Sequence, residues 1–417
     1  MKRPLLPLDE AIDQVIGTAT ALRDRLPPST RRVSIWEASG LVLAEDVGAD
    51  RPLPPFDKSM MDGYAVRFAD VDGLGKDERR SLKVVGEVAA GGVFTRALGA
   101  GEAVAIMTGA PIPEGADTVQ VVELCERDVD TVHMRGGLRR GENVTRAGAQ
   151  ARAGEVVVER GRVIESLTAG VLASVGREEV EIYRRPRVTV IATGDELVNV
   201  EETPAQSQIR DSNRRTLMAL AESEWCRVVD GGIIRDDREA LRAAIGEGLD
   251  GDVLVLSGGV SAGQYDYVRE CLELEGVSVK FHQVAIKPGK PVLFGSTERA
   301  LVFGLPGNPV SAFVTAAVLM VPAVRVLGRR PDAQSWMLDV RLDGELPATG
   351  RRTTFHPGTL SRVGRTGLSV TPRPWDGSAD HIGYARSNVL IRREVDAGPA
   401  GPGELVQVML PGPLVQW

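Results

Sequence analysis

The sequence predicts a multidomain chain of mixed α/β and β character, organised around a central three-layer α/β domain. Three observations predict it. Strand, glycine turn and helix recur as a unit between residues 184 and 330. Short β-like runs with closely spaced turn signals fill residues 64 to 145. A second all-β pattern returns after Pro331. A chain of 417 residues has room for about three domains.

Residues 8 to 26 read as an amphipathic helix with Leu8, Ala11, Ile12, Val15, Ile16 and Leu22 on one stripe, stopped at Pro27-Pro28. Val33–Trp36 reads as a strand. Residues 51 to 64 follow, with prolines that hold the segment extended and exposed. It brings Asp57, Lys58, Ser59 and Asp62 close together, as either a polar linker or a functional loop. Leu82–Val85, Ala103–Ile106 and Asp117–Val122 are strands of a small β domain, and Thr108 lies on a loop between two of them. A helix around Glu165–Val175 and a strand Val180–Tyr183 are expected to pack with the N-terminal helix. The β domain, 51–145, is then an insertion into a domain formed by 1–50 and 146–183.

In the α/β segment, Val188–Ala192 runs into Thr193-Gly194-Asp195-Glu196. Asp211-Ser212 can cap a helix carrying Leu217, Leu220 and Ala221. Val228 and Val229 lead to Asp236-Asp237, one of which is expected only to cap the next helix. Val253–Leu256 is a branched apolar run suited to a strand buried on both faces. It ends at Ser257-Gly258-Gly259, where paired glycines permit positive φ and let backbone N–H groups approach a ligand. Phe281–Ile286 reads as a strand ending in Lys287-Pro-Gly-Lys290. Leu301–Phe303 runs into Gly304–Pro309 and a helix over 308–327. Three glycine-ended strands predict a parallel sheet with its turns on one edge, where such sheets bind ligands. The alternating runs after Pro331 predict a β domain over 331–417.

Composition narrows the function. Apolar residues are 43% and charged residues 26%, an ordinary globular balance. A net charge of −7 argues against a nucleic-acid partner. No apolar run of membrane length and no signal peptide are read. The three cysteines, Cys125, Cys226 and Cys271, and the four histidines are scattered. That fits a reducing cytoplasm and no thiolate or imidazole metal cluster.

The predicted edge collects Thr193, Asp195, Glu196, Asp236, Ser257, Ser261, Asp266, Lys287 and Lys290. Glycine turns and lysines suit phosphate; carboxylates suit hydroxyls, amides or Mg²⁺. A lysine about 4 Å from a unit negative charge contributes roughly 4 kcal/mol at an effective dielectric near 20, against about 0.3–1 kcal/mol for a helix N-terminus. Pattern alone also permits a phosphosugar or nucleotide enzyme on the same architecture.

The wording of the loops goes further. PPFDKSMMDGYAVR (54–67), IMTGAPIPEGAD (106–117), TGDEL (193–197), GIIRDD (232–237), SGGVSAGQYDY (257–267), AIKPGKP (285–291) and LPGNPVSA (305–312) occur in this order. In these stretches the sequence resembles the molybdopterin molybdenumtransferases, the molybdenum insertase family that also forms the C-terminal part of gephyrin. The resemblance runs from about residue 8 to the end.

It implies an elongated homodimer with an elongated dimerisation domain (1–50 and 146–183), an inserted β domain, an α/β molybdopterin-binding domain (184–330) and a C-terminal β barrel. The active site lies between the α/β domain of one subunit and domains of the other. The implied reaction takes adenylylated molybdopterin and molybdate, removes AMP with Mg²⁺, and leaves molybdenum on the pterin dithiolene. By matching position, Asp62 and Thr108 are the inserted-domain side of the site, and Glu196, Asp236 and Asp266 are carboxylates of the pterin and cation region. Asp236 and Asp266 are the implied metal ligands. Ser257, Gly258, Gly259 and Lys287 hold the terminal phosphate, with Ser261 and Lys290 beside them. Pro306 and Pro309 shape the pocket, and Ser378 is a polar residue of the C-terminal domain near it. A molybdopterin adenylyltransferase and molybdoenzyme maturation proteins are the implied partners.

Three departures separate this chain from the common pattern, the first being Lys58, which stands where some members have a neutral residue. Gln150 stands where the family commonly has a carboxylate. Pro357 stands where it commonly has an Arg before Gly, leaving Arg351, Arg352 or His356 to substitute. The last two favour an alternative function, a molybdopterin-binding carrier or scaffold with weak or no insertion activity.

Overall fold

The branched apolar runs of the α/β segment pair into one sheet. Its strands are β1 (Arg187–Thr193), β2 (Arg227–Ile234), β3 (Val253–Ser257), β4 (Ser278–Gln283), β5 (Pro291–Ser296) and β6 (Leu301–Leu305), in the order β2-β1-β3-β6-β5-β4. This computed structural model describes residues 5–259, 265–333, 337–364 and 367–411, and of residues 265–267 the backbone alone. β2, β1, β3 and β6 are mutually parallel; β5 runs antiparallel to its neighbours β6 and β4, so β4 points the same way as the parallel set. The parallel pairing expected of the three glycine-ended strands β1, β3 and β6 is found, but the sheet as a whole is mixed, because β5 is reversed. The reason is the connection between β5 and β6, which spans only residues 297–300. The Thr297 hydroxyl accepts hydrogen bonds there from the Arg299 and Ala300 amides, at 3.1 and 2.9 Å. That is a hairpin turn, too short for the crossover that parallel strands need.

Helices cover both faces. On one lie α1 (Leu8–Arg25), α2 (Asn213–Ser223) and the run Pro309–Leu327; on the other lie α3 (Arg238–Gly248) and α4 (Tyr265–Leu274). α1 buries Leu8, Ala11, Val15, Ala19 and Leu22 in the same core as Val188, Val253, Phe294 and Phe303. The expectation that it packs with 146–183 is corrected: its narrow stripe of small and branched residues seats against the α/β layer.

The run Pro309–Leu327 is 19 residues long and apolar enough to cross a membrane, contrary to the sequence reading, but 89% of it is buried inside the fold. It is a core helix. A π-helical stretch at Ala316–Met320 precedes Pro322, whose missing N–H and ring disrupt the regular ladder. In the same layer Arg325 and Glu224 form a buried bidentate pair, at 2.7 and 2.8 Å.

The C-terminal segment folds as the sequence pattern predicts, into β7 (Met337–Leu342), β8 (Thr353–Val363), β9 (Gly367–Pro372), β10 (Val389–Arg393) and β11 (Leu405–Met409). The order β8-β9-β7-β11-β10 closes back on β8, a barrel around Leu342, Leu360, Val370, Ile391, Val406 and Val408. The strand expected over Phe281–Ile286 is divided. β4 ends at Gln283, and Ile286–Lys287 pairs with Thr353–Thr354 of the barrel sheet.

On β8, His356 meets the edge of Trp375 at 6.2 Å, and its Nε2 is buried with no hydrogen-bond partner. Burial, then the charges of Lys287 and Arg393, push its pKa down to about 4. The unfolded chain therefore binds the extra proton at higher pH than the folded protein. Stability attributable to the neutral imidazole is complete above about pH 6.5 and is lost as pH falls toward 4. His356→Gln is expected to flatten the fall in unfolding free energy between about pH 6.5 and about pH 4, measured by urea denaturation.

The chain divides into two compact units, Met1–Ala44 with Gly161–Glu165 and Glu179–Trp417, and Glu45–Arg160 with Ser166–Glu178. The strand expected at Val33–Trp36 is Thr30–Ser34 in the first unit. It pairs with Glu179–Tyr183 and leaves Trp36 88% exposed. The second unit holds a six-stranded sheet in the order Thr118–Val121, Gly63–Val66, Glu102–Ile106, Arg79–Val88, Thr131–Arg135, Cys125–Asp128. Apolar clusters lie on both of its faces.

Candidate active site

The turns read from the sequence meet at the carboxyl ends of β1, β3 and β6. Ala192 lies opposite Ser257, and Ser257 opposite Leu305, so the strands end level. Gly258 has φ +94° and donates its N–H to the Leu305 carbonyl at 3.1 Å. A Cβ on it would lie 2.3 Å from the Thr193 carbonyl oxygen. The turn after β6 lies alongside it with room to spare, since a Cβ on Gly307 would stand 3.8 Å from the Gly258 Cα. Asn213, the first residue of α2, ties the two turns together. Its Nδ2 donates to Ser257 Oγ at 2.9 Å and to the Gly307 carbonyl at 2.8 Å.

The carboxylates stand on the β1 side. The buried Thr193 hydroxyl donates to Asp236 Oδ1 at 3.0 Å, and the Asp236 amide donates to Asp195 Oδ1 at 3.3 Å. Asp237 caps α3, accepting from the Ala240 amide at 2.8 Å, as one of this pair is expected to do. The Glu196 carboxylate folds back over Gly194, where a Cβ would lie 2.5 Å from its Oε2. On the far side, Asn308 Nδ2 donates to Ser378 Oγ at 2.8 Å. The cleft has a volume of about 330 Å³, and its lining includes Thr193, Glu196, Asn213, Ser257, Gly258, Asn308, Pro309 and His381.

Of the residues singled out in the sequence, Thr193, Glu196, Ser257, Gly258 and Pro309 line this cleft. Asp236 and Ser378 are one hydrogen bond behind it, through Thr193 and Asn308. Pro306 is buried in the turn between Leu305 and Gly307, and Gly259 is wedged against Val268 and Thr193. Lys287 and Lys290 are exposed and absent from the lining. Their turn packs down on the following helix, where a Cβ on Gly289 would lie 2.3 Å from the Thr315 methyl. Ser261 and the side chain of Asp266 lie outside the described residues. One expectation is corrected: the Gly258 N–H is spent on Leu305 and is not presented to a ligand. Sequence reading missed Asn213, Asn308 and His381. The Asp-Ser-Asn run at 211–213 was read only as a cap, although an amide side chain beside a glycine-turn edge is itself a signal.

The second unit carries the other predicted pair. Thr108 donates its amide and its hydroxyl to Asp62 Oδ1, at 2.7 and 2.6 Å. The hydroxyl bond, then the amide bond, hold this exposed carboxylate below its usual range. Met60, Met61 and Met107 are exposed around it. In the same unit the Gln150 amide donates to the Leu53 carbonyl, at 2.8 Å.

In the barrel the backbone N–H of Arg373 donates to the Pro357 carbonyl at 2.9 Å, and its guanidinium Nε donates to Thr359 Oγ1 at 2.6 Å. His356 is neutral at pH 7, because burial and its cationic neighbours depress its pKa.

A mixed sheet whose glycine turns, hydroxyls and carboxylates converge at one edge is the layout of a binding domain for an anionic, hydrogen-bonding small molecule. Known proteins agree in detail. Residues 6–176 match the MoeA N-terminal region (domain I and II), and residues 189–326 match the probable molybdopterin binding domain. The molybdopterin molybdenumtransferase of Haemophilus influenzae is 35% identical over 97% of this chain and 98% of its own. That of Staphylococcus aureus is 31% identical over 98% and 96%. The crystal structure of the molybdopterin biosynthesis moeA protein from Pyrococcus horikosii superposes with a TM-score of 0.78, at 31% identity, covering 98% of this chain and 100% of that one. The chain belongs to the molybdopterin molybdenumtransferase family and has its MoeA-like multidomain fold.

Proposed function

We propose that this protein is a molybdenum insertase of molybdenum cofactor biosynthesis, acting in the cytoplasm. It takes adenylylated molybdopterin and molybdate, releases AMP, and leaves molybdenum on the pterin dithiolene. The observation that carries this reading is the cleft, where Ser257 and Asn213 form a hydrogen-bonding end and Glu196, with Asp236 behind Thr193, an acidic side. The three unpaired cysteines fit a reaction whose soft sulfur donors come from the substrate.

In this reading Glu196, Asp236 and Asp266 face the pterin and cation, Ser257, Gly259 and Ser261 the phosphate, and Pro306 and Pro309 shape the wall. Lys287 and Lys290 add positive charge outside the cleft. A second copy of the chain supplies Asp62 and Thr108. Among the described residues no three His, Cys, Asp or Glu side chains are grouped to hold a metal ion. The expected donors, the carboxylates Asp236 and Asp266, suit Mg²⁺ held by one or two carboxylates together with substrate phosphate. When bound, Mg²⁺ would neutralise phosphate charge.

The test is incubation of the purified protein with adenylylated molybdopterin, Mg²⁺ and graded molybdate. The expected result is AMP release with molybdenum loaded on the pterin. Tight molybdopterin binding with no AMP release at any molybdate level would replace this reading by the carrier. Gln150 and Pro357 favour that second reading, because neither side chain can supply the charge the family commonly has there.

A further inference from the structure

We infer that Asn213 is a positioning residue that turns the Ser257 hydroxyl into a hydrogen-bond donor aimed at the ligand. The inference rests on the reading of the cleft as the molybdopterin site and says which group in it recognises the anion.

The argument is an inventory of donors and acceptors. A backbone carbonyl can only accept, so the Asn213 atom 2.8 Å from the Gly307 oxygen is its amide nitrogen. The same nitrogen has a second hydrogen, and Ser257 Oγ lies 2.9 Å from it. That hydroxyl therefore accepts from Asn213 and keeps its own proton. Among the described residues no acceptor takes that proton. Ser257 is 2% exposed and lines the cleft, so the unmatched donor is buried and faces the cavity. A buried donor without a partner is costly, which makes the position one that wants a ligand acceptor. The neighbouring Gly258 N–H is already taken by Leu305, so the Ser257 hydroxyl is the side-chain donor that this turn offers beside the Gly259 backbone. The group it fits is an acceptor-only oxyanion such as a phosphate monoester. A ligand donor at the same point would face a proton.

Calorimetric binding of molybdopterin, and separately of inorganic phosphate, to wild type, Asn213→Ala, Ser257→Ala and the double variant tests this, with a melting curve for each. Loss of one hydrogen bond to a charged acceptor predicts about tenfold weaker molybdopterin binding for Ser257→Ala. Asn213→Ala should weaken it by a similar factor, and the double variant should bind no more weakly than Ser257→Ala. A role in merely bracing the turns would instead multiply the two losses, to about a hundredfold, and overturn the inference. Wild-type affinity in Asn213→Ala would overturn it equally.

Asn213→Asp keeps the shape but cannot donate, so Ser257 must donate to it. It is expected to bind molybdopterin more weakly than Asn213→Ala, and unchanged affinity there would also sink the idea. If wild type binds phosphate but not molybdopterin, the reading of the cleft fails and the cycle is judged with phosphate. If it binds neither, both fail.

Discussion

Gly258→Ala is expected to abolish molybdopterin binding and to lower the unfolding free energy by about 2–4 kcal/mol, the sum of backbone strain and overpacking. Two independent obstacles meet at this position. Its φ of +94° is one that side-chain-bearing residues rarely adopt. Its added methyl would stand 2.3 Å from the Thr193 carbonyl oxygen, which is backbone and cannot swing away. Relief requires β3 to move away from β1 or the turn to rise into the cleft. The first move disturbs Thr193, which holds Asp236; the second breaks the Gly258 N–H bond to Leu305. Either way the carboxylate and hydroxyl sides of the cleft lose their spacing. Gly307→Ala is the control. Its nearest neighbour would be 3.8 Å away, so its stability should change by no more than about 0.5 kcal/mol. Urea denaturation and molybdopterin titration of both variants check the contrast, and wild-type binding by Gly258→Ala would show that the turn is not built around that glycine.

The strands of this edge were legible because branched apolar runs and the glycines that end them are local signals. Val253–Leu256 has no polar face to present, and Gly258 stands where the backbone must turn with positive φ. Direction and destination were less legible. The stripe of α1 shows that it buries a face, but Leu8 and Val15 carry no mark of the layer that receives them. The antiparallel β5 was readable only through the short turn at 297–300. Asn213 escaped notice because its partners, Ser257 and Gly307, are 44 and 94 residues away in the chain. Lys287 and Lys290 show the opposite failure. Their chemistry suits an anion, but the packing of Gly289 on the following helix decides where their turn sits, and no property of a lysine encodes that.

The other large effect lies far from the cleft. Arg325→Met is expected to cost about 3–5 kcal/mol of unfolding free energy, the usual consequence of leaving one member of a buried ion pair alone. The Arg325 and Glu224 side chains are 4% and 2% exposed. Nε and Nη2 of Arg325 each donate to one oxygen of Glu224, a planar fork on a planar carboxylate. Burial alone would lower the guanidinium pKa, but the bond and charge of Glu224, with Asp332, outweigh it and raise the value above the ordinary one. Arg325 therefore stays charged at any working pH, and removing it strands a carboxylate that water cannot reach. The pair is costly to break but is not thereby a large net source of stability, since both ions were desolvated to make it. Arg325→Met combined with Glu224→Leu should therefore recover most of the loss, because the double variant buries no charge. Urea denaturation of the single and double variants at neutral pH checks this. A double variant as unstable as Arg325→Met would show that packing around Pro309–Leu327, and not the orphaned charge, sets the cost.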